Sequence, residues 1–330
     1  MSATKRTLSR YGSILVLLAI LWFPAIAGGA EREVAGMITE IHLGRGQVEV
    51  KAADSELWRA ATPLLTLRPG DTVSTTEDAR AVVVLVGRRA SVRVDEATSP
   101  FTVPAPPAGR SRLQKGLQVL EASFDFLATT TLKDLTSGPL GTRAGVKPPV
   151  ILTPSNGLVL PDSLIFEWRG SASSAYVVRI SGPDGLVLER TNLIGTRFQY
   201  PRNAPPLVAG VRYRFQLLPA WSPPQDAWFE LVDPDRARTI RDELSDLEEA
   251  FAPALPPATL ATLRAGFLAA NGLLHNARLG LLEEMARQPE EPTLHFLLGD
   301  LYARLGLGDE ARNSFAEARF LLNNGAARAR

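Results

Sequence analysis

Apolar residues alternate with polar ones over short segments in the first two thirds of the chain, and they recur every three to four residues in the last third. In residues 34–103, segments such as ARAVVVLV and ASVRVDE are rich in β-branched residues and are separated by glycines. That pattern is typical of β-strands. Asp233 is predicted to cap the start of a helix, and the residues Ile240, Leu247 and Phe251 after it fall on one side of a helix with 3.6 residues per turn. The pattern predicts a multidomain protein, with mainly β N-terminal and central modules and an all-α C-terminal helical repeat.

Changes in this pattern divide the chain into five segments. They are a signal peptide at 1–27, a β domain at 34–103, a linker with one helix at 104–149, a β-sandwich at 150–232 and a helical domain at 233–330. The linker contains PAPPAGRSR and SGPLGTRAGVKPP, which are rich in proline and glycine. Few contacts are expected to cross such a joint, so we predict that the two β modules are structurally independent.

The start of the chain has the organisation of a secretory signal. Lys5, Arg6 and Arg10 precede the apolar run SILVLLAILWF, and an A-x-A cleavage pattern follows at 25–27. An uncleaved membrane anchor is the alternative, but the run is shorter than the ~20 residues that span a bilayer. We therefore expect export to a bacterial periplasm or outer cell envelope, cleavage near Gly28, and membrane contact only through an unprocessed signal.

Charge and cysteine content narrow the function classes. Removal of residues 1–27 takes away three basic residues and no acidic ones, which leaves 33 of the 36 Lys and Arg residues against 35 Asp and Glu residues. A net charge near −2 does not favour nucleic acid as a partner. The absence of cysteine excludes disulfides, thiolate metal sites and a cysteine nucleophile.

The segment LRPGDTVSTT, which precedes an apolar strand, has two alternative interpretations. A phosphate-binding loop needs G-x-x-x-x-G-K-[ST] spacing that opens a helix, whereas here a single glycine precedes Asp71 and a strand follows. Proline followed by glycine suits a tight turn. We predict a turn in which Asp71 accepts hydrogen bonds from backbone N–H groups.

The N-terminal β pattern resembles the FecR-type domain of bacterial envelope proteins. The resemblance rests on VAGMITEIHLGRGQVEV, Trp58, LRPGDTVST, ARAVVVL, Gly87 and SVRV, which together cover about a fifth of the chain. Regulatory members of that family have a cytoplasmic anti-sigma segment, and their periplasmic domain contacts an outer-membrane transporter. The short segment before the apolar run here departs from that plan. The resemblance implies an exported binding or scaffolding module without a transmembrane output.

The second β pattern resembles fibronectin type III and related immunoglobulin-like sandwiches. Alternating apolar positions in LIFEW, AYVVRI and VRYRFQLL, a proline-rich entry and the segment from Pro206 to Leu217 carry this resemblance. Such sandwiches space or bind rather than catalyse. Their alternating aromatic residues fit core positions. Trp221 and Trp228 are less tied to a core face, so they are candidates for an exposed contact with a partner or a glycan.

The C-terminal part contains an internal repeat of 34 residues, which aligns Gly272 with Gly306 and Ala277 with Ala311. The second copy resembles the tetratricopeptide pattern through Leu298, Gly299, Tyr302, Gly306, Ala311, Phe315 and Ala318. The first copy is degenerate. In that family the first helix of each pair lines a concave surface, and this implies a partner-binding surface on Arg264, Phe267, Asn271, Leu298, Tyr302 and Leu305. Leu298 and Tyr302 are also expected to serve packing.

The sequence contains none of the catalytic and metal-binding motifs considered below, so we predict no catalytic residue, no cofactor and no metal site. The three histidines, His42, His275 and His295, form no H-E-x-x-H or i, i+4 pair, and neither G-x-S-x-G nor a Walker motif is present. A catalytic carboxylate pair needs no local motif, so an enzyme with a motif-free active site stays a minor alternative. The leading hypothesis is a non-enzymatic envelope scaffold or adaptor that binds envelope proteins. The alternative is a protein that binds peptidoglycan or another polysaccharide.

Overall fold

The structure is a computed structural model that describes residues 34–88, 91–107, 115–130, 148–161 and 164–327. The predicted signal peptide lies outside these ranges. The described residues belong to one compact unit. β-Strands make up its N-terminal and central parts and helices make up its C-terminal part, which confirms the predicted fold class. Within the described ranges, no helix is both long and apolar enough to cross a membrane.

The N-terminal module consists of two four-stranded sheets, with strand orders β4-β1-β6-β7 and β3-β2-β5-β8. Every strand pairing that the described residues make in these sheets is antiparallel. The strands are β1 Gly36–His42, β2 Val48–Lys51, β3 Trp58–Ala60, β4 Thr66–Leu67, β5 Thr72–Thr75, β6 Arg80–Leu85, β7 Ser91–Val94 and β8 Phe101–Thr102.

The turn before β5 has the predicted structural role. Gly70 adopts a positive φ of 89°, a conformation that disfavours residues with a Cβ atom. The Asp71 carboxylate accepts hydrogen bonds from the backbone N–H groups of Arg68 (2.8 Å) and Ala53 (3.0 Å). The prediction that Asp71 bonds to backbone groups is thus confirmed.

The central module pairs a five-stranded sheet, of order β10-β16-β15-β12-β13, with a three-stranded sheet of order β14-β11-β9. Its core contains the predicted inward aromatic residues, among them Phe166, Trp168, Tyr176 and Phe215. The strands are β9 Val150–Thr153, β10 Gly157–Val159, β11 Ile165–Arg169, β12 Ala175–Gly182, β13 Gly185–Ile194, β14 Arg197–Gln199, β15 Arg212–Pro219 and β16 Gln225–Leu231.

Helices occupy the C-terminal part, and one more lies between the two β modules. They are α1 Lys115–Ala128, α2 Pro234–Phe251, α3 Pro257–Ala270, α4 Leu274–Met285, α5 Pro292–Arg304 and α6 Gly308–Ala327. Helix α2 begins as predicted, because the Asp233 side chain accepts hydrogen bonds from the N–H groups of Asp235 (2.9 Å) and Arg236 (3.3 Å).

The 34-residue period appears as two helix pairs, α3–α4 and α5–α6, with the same connecting turn. Gly272 and Gly306 both have positive φ values, of 78° and 74°. In each turn the next residue donates its N–H to the last turn of the preceding helix, from Leu273 to Leu268 O and from Leu307 to Tyr302 O. This geometry is a helix C-cap in which glycine takes the left-handed position.

The two β modules are not structurally independent, so that prediction was wrong. Strand β6 is buried on both faces. Its Val83 side chain lies in the module's own core, while Val84 joins a second core with α1 to α6. Helix α1, which we predicted inside a linker, packs against α2 and α3. A strand with two apolar faces needs a cover on each face, and the helices provide the second one.

Candidate functional site

The predicted concave surface of the repeat is covered by other parts of the same chain. Phe267, Leu298 and Tyr302 are buried in the core, so these three side chains are not placed to contact a partner. Helix α1 packs against α3, and β1 contacts both α3 and α5. The first helices of both pairs therefore face intramolecular neighbours rather than solvent.

The other three repeat residues have different positions. Arg264 is exposed on α3 and forms an ion pair of 2.8 Å with Glu248. Asn271 caps the end of α3, where its Nδ2 donates to Phe267 O at 3.1 Å, and Leu305 is the half-buried C-cap of α5. Of the six predicted repeat residues, Arg264 lines the groove described next.

A groove of about 520 Å³ lies between the central sandwich and the helices, and we call it the sandwich–helix groove. Leu160, Ile165 and Arg197 of the sandwich form one wall, and α2, α3 and α4 form the other. The helical wall is lined largely by small or apolar side chains such as Ala261. The volume of the groove lies within the range of about 300–1,000 Å³ typical of ligand sites. A groove of this size suits a short peptide segment rather than a folded domain.

The charges at this groove are largely paired. Arg264 pairs with Glu248, and Arg287 pairs with Glu284 at 2.8 Å. Arg197 lies 3.6 Å from a Glu167 oxygen. Strand β14, which carries Arg197, is an edge strand of its sheet. An edge strand beside an apolar wall can accept an extended peptide through backbone hydrogen bonds.

The two candidate tryptophans differ in availability. Trp221 is 41% exposed in the connection between β15 and β16. Trp228 lies on β16, and the Arg212 guanidinium covers its ring at 4.1 Å from the ring centroid. One ring face of Trp228 is therefore occupied, so Trp221 is the more accessible of the two.

A second polar feature brings together Glu40, His42 and Glu291, and we call it the Glu–His–Glu cluster. Glu40 and His42 lie on β1, while Glu291 is the N-cap residue of α5. One potential ligand atom from each residue lies within 4.8 Å of the other two. Sequence motifs did not indicate this cluster because β1 and α5 are about 250 residues apart.

Burial perturbs two titratable groups, one in the Glu–His–Glu cluster and one beside the sandwich. Burial raises the pKa of Glu291 to about 7, against the effect of His42 and the hydrogen bond from the Thr293 backbone N–H. Where α4 contacts the sandwich, burial lowers the pKa of His275 to about 4. His275 Nε2 lies 2.8 Å from Ser155 N and 3.0 Å from Ser155 O, so it links α4 to the sandwich.

Comparison with known proteins does not assign a family. No family model matches the chain, and the search of curated proteins gave no match. One similar solved structure is the crystal structure of a multi-domain immunophilin from Arabidopsis thaliana, with 13% sequence identity and a TM-score of 0.18. That likeness covers 53% of this chain and 100% of the other chain, and at this TM-score it carries no argument about function.

Proposed function

We propose that this protein is a non-enzymatic, exported envelope scaffold or adaptor that binds a segment of a partner protein in the sandwich–helix groove. The observation that carries the proposal is the groove itself, in which Arg197 of the edge strand β14 lies opposite a helical wall that combines apolar residues such as Leu260 with charged residues such as Glu283. An extended peptide can add to such an edge and place alternate side chains against the wall. The paired charges at the rim favour a partner that is not highly charged.

The proposal also includes the family that each module resembles. The strand pattern and the Gly70–Asp71 turn support a FecR-type N-terminal domain, and the two-sheet aromatic core supports a fibronectin type III-like central domain. The paired turns 34 residues apart support a tetratricopeptide-like origin of the helices. In this proposal the repeat surface packs against the chain's own β1 and α1, and the partner binds in the sandwich–helix groove.

A substitution at Gly280 tests the groove directly. Gly280 is exposed on α4 and lines the groove, and a Cβ atom added there meets no atom within 4 Å. Gly280→Gln therefore adds bulk to the groove, and the higher helix propensity of glutamine is expected to maintain or raise stability by up to about 1 kcal/mol. We expect affinity capture from envelope extracts to lose a partner that the wild-type protein retains.

The matched control is Ala303→Gln, which adds the same side chain at an exposed position of α5 that does not line the groove. Both variants should keep the wild-type circular dichroism spectrum. Equal capture by wild type and Gly280→Gln would contradict the groove as the binding site. Equal loss with both variants would indicate a nonspecific effect of the added side chain.

Glycan binding is the second candidate function, and the exposure of Trp221 is the observation that favours it. Exposed aromatic rings stack on sugars, so Trp221→Ala should weaken co-sedimentation with insoluble peptidoglycan if this function is correct. Gly280→Gln should then have no effect on sedimentation. The two functions thus give opposite results with the same two variants.

Export is tested by fractionation and N-terminal sequencing. The charged start and the apolar run of the sequence support a mature chain outside the cytoplasm that begins near Gly28. A full-length product that stays in the cytoplasm would contradict this part of the proposal.

A further inference from the structure

The Glu–His–Glu cluster lies where β1 meets the N-terminal ends of two helices. The Glu40 Oε1 atom accepts hydrogen bonds from Thr259 N (2.8 Å) and Thr259 Oγ1 (2.6 Å) at the start of α3. The Glu291 Oε1 atom accepts from Thr293 N (3.0 Å) and Ile41 N (3.4 Å). Each carboxylate therefore has one oxygen held in place by a helix N-terminus, which favours negative charge there.

The second oxygen of each carboxylate faces the imidazole of His42. His42 Nε2 lies 3.4 Å from Glu40 Oε2 and 3.3 Å from Glu291 Oε2. The contact with Glu291 does not have hydrogen-bond geometry, and Glu291 Oε2 has no hydrogen-bond partner in the described part of the chain. Glu291 is only 1% exposed, so this oxygen is a buried polar atom without a protein partner. Such atoms are costly and require an explanation.

A helix cap explains the first oxygens but not the second ones. Within the described residues, neither carboxylate forms an ion pair with a lysine or an arginine, so the nearby cationic partner is a histidine that is charged only when protonated. When both carboxylates are ionised, two negative charges lie beside one imidazole. A divalent cation between them would neutralise both carboxylates and give the unpartnered oxygen a ligand bond.

We propose that Glu40, His42 and Glu291 form a binding site for a divalent zinc-type cation, with Glu40 Oε2, His42 Nε2 and Glu291 Oε2 as ligands. Zinc takes nitrogen and carboxylate ligands at about 2.0–2.2 Å in tetrahedral geometry, which places neighbouring ligand atoms ~3.3 Å apart. The separations of His42 Nε2 from the two carboxylate oxygens, 3.3 and 3.4 Å, agree with that spacing, and the three residues offer ligand atoms within 4.8 Å of one another. The imidazole nitrogen also argues against calcium and magnesium, which prefer oxygen ligands alone.

The surroundings of the cluster allow an ion to enter. The His42 side chain is 26% exposed, whereas the two carboxylates are buried behind it. Solvent therefore reaches the cluster at the imidazole, and water can supply the fourth ligand. The bound ion would join β1 to the N-terminal end of α5, so it would hold the N-terminal β module against the helices.

Zinc binding to the purified, untagged protein tests this inference. After treatment with a chelator and dialysis, we expect the protein to take up about one zinc per chain in competition with a colorimetric chelator. We also expect a higher thermal midpoint with zinc, because the ion binds the folded state. X-ray absorption at the zinc edge should show only nitrogen and oxygen ligands at about 2.0–2.1 Å, including imidazole.

The variants separate this site from adventitious binding. His42→Ala should lower the zinc affinity by at least about 100-fold and abolish the rise in thermal midpoint. Glu291→Gln should do the same while it retains the shape of the buried side chain. His295→Gln removes another imidazole and should bind zinc like the wild type.

Failure to retain zinc in the wild type, or equal retention by His42→Ala, would overturn the inference. If Glu291→Gln does not fold, His42→Ala decides the test alone, because the His42 side chain is only half-buried. This site and the sandwich–helix groove share no residue. Loss of zinc binding in His42→Ala with unchanged partner capture would therefore leave the proposed function standing, and the reverse result would leave the zinc site standing.

Discussion

Replacing Leu127 by alanine is expected to lower the free energy of unfolding by about 2–5 kcal/mol, the range for large-to-small changes in a packed core. Leu127 lies on α1 and is completely buried. It packs over Gly266 of α3, where an added Cβ atom would lie 2.9 Å from Leu127 Cγ. The two helices can approach this closely because residue 266 has no side chain. Urea denaturation of both proteins measures the difference.

Asp125→Ala is the matched control for this substitution. Asp125 lies on the same helix and is exposed, so its replacement should change stability by no more than about 0.5 kcal/mol. A linker helix that only rests on the surface would give small effects at both positions. Similar stability of Leu127→Ala and the wild type would thus contradict the integration of α1 into the core.

The pair Leu127 and Gly266 also predicts non-additive effects. Gly266→Ala alone should destabilise the protein, because the new methyl group meets Leu127 Cγ at 2.9 Å and Ser123 O at 3.1 Å. In the double variant the methyl group enters the space that the leucine vacates. We expect the double variant to lose less stability than the sum of the two single losses, by about 0.5–3 kcal/mol.

Local patterns were sufficient to predict the fold class and several of its turns and helix ends. The start of α2, the Gly70–Asp71 turn and the helix-pair turns at Gly272 and Gly306 each depend on residues that are neighbours in sequence. Their hydrogen bonds link residues a few positions apart, so sequence spacing is enough to indicate them.

Contacts between distant segments could not be predicted in the same way. The Glu–His–Glu cluster joins β1 to α5 across about 250 residues, and no spacing rule connects them. The burial of Phe267 and Tyr302 likewise depends on elements from elsewhere in the chain. One signal was present in the sequence: both faces of ARAVVVLV are apolar, and this indicates a cover on each side of the strand. The helices are that second cover.

Acid is expected to destabilise the protein partly through His275, and His275→Gln should remove that part. The imidazole is 1% exposed, its Nδ1 has no hydrogen-bond partner among the described residues, and burial lowers its pKa from 6.5 to about 4. The folded state thus holds His275 neutral, whereas the unfolded chain takes up a proton as the pH falls through 6.5. Stability from this group is complete above pH 6.5 and is lost progressively as the pH falls toward 4.

The size of this effect follows from the difference between the two pKa values. Each pKa unit corresponds to about 1.4 kcal/mol of stability, so the full loss of stability from His275 is about 3 kcal/mol. The part of this loss that falls between pH 7.5 and pH 5 is about 2 kcal/mol. Arg278 acts in the same direction as burial, while the hydrogen bond to Ser155 acts against it. Urea denaturation at both pH values should show that wild type loses about 2 kcal/mol more than His275→Gln.

The comparison must use the difference between the two proteins, because Glu291 has the opposite effect. Its raised pKa means that the folded state binds a proton more tightly than the unfolded chain, so in the metal-free protein its contribution falls as the pH rises from 4.5 to about 7. Wild type alone can therefore show a nearly flat profile between pH 5 and 6.5. Both proteins contain Glu291, and its contribution cancels in the difference. Parallel profiles for wild type and His275→Gln, with His295→Gln as the control, would show that the buried imidazole does not set the acid sensitivity.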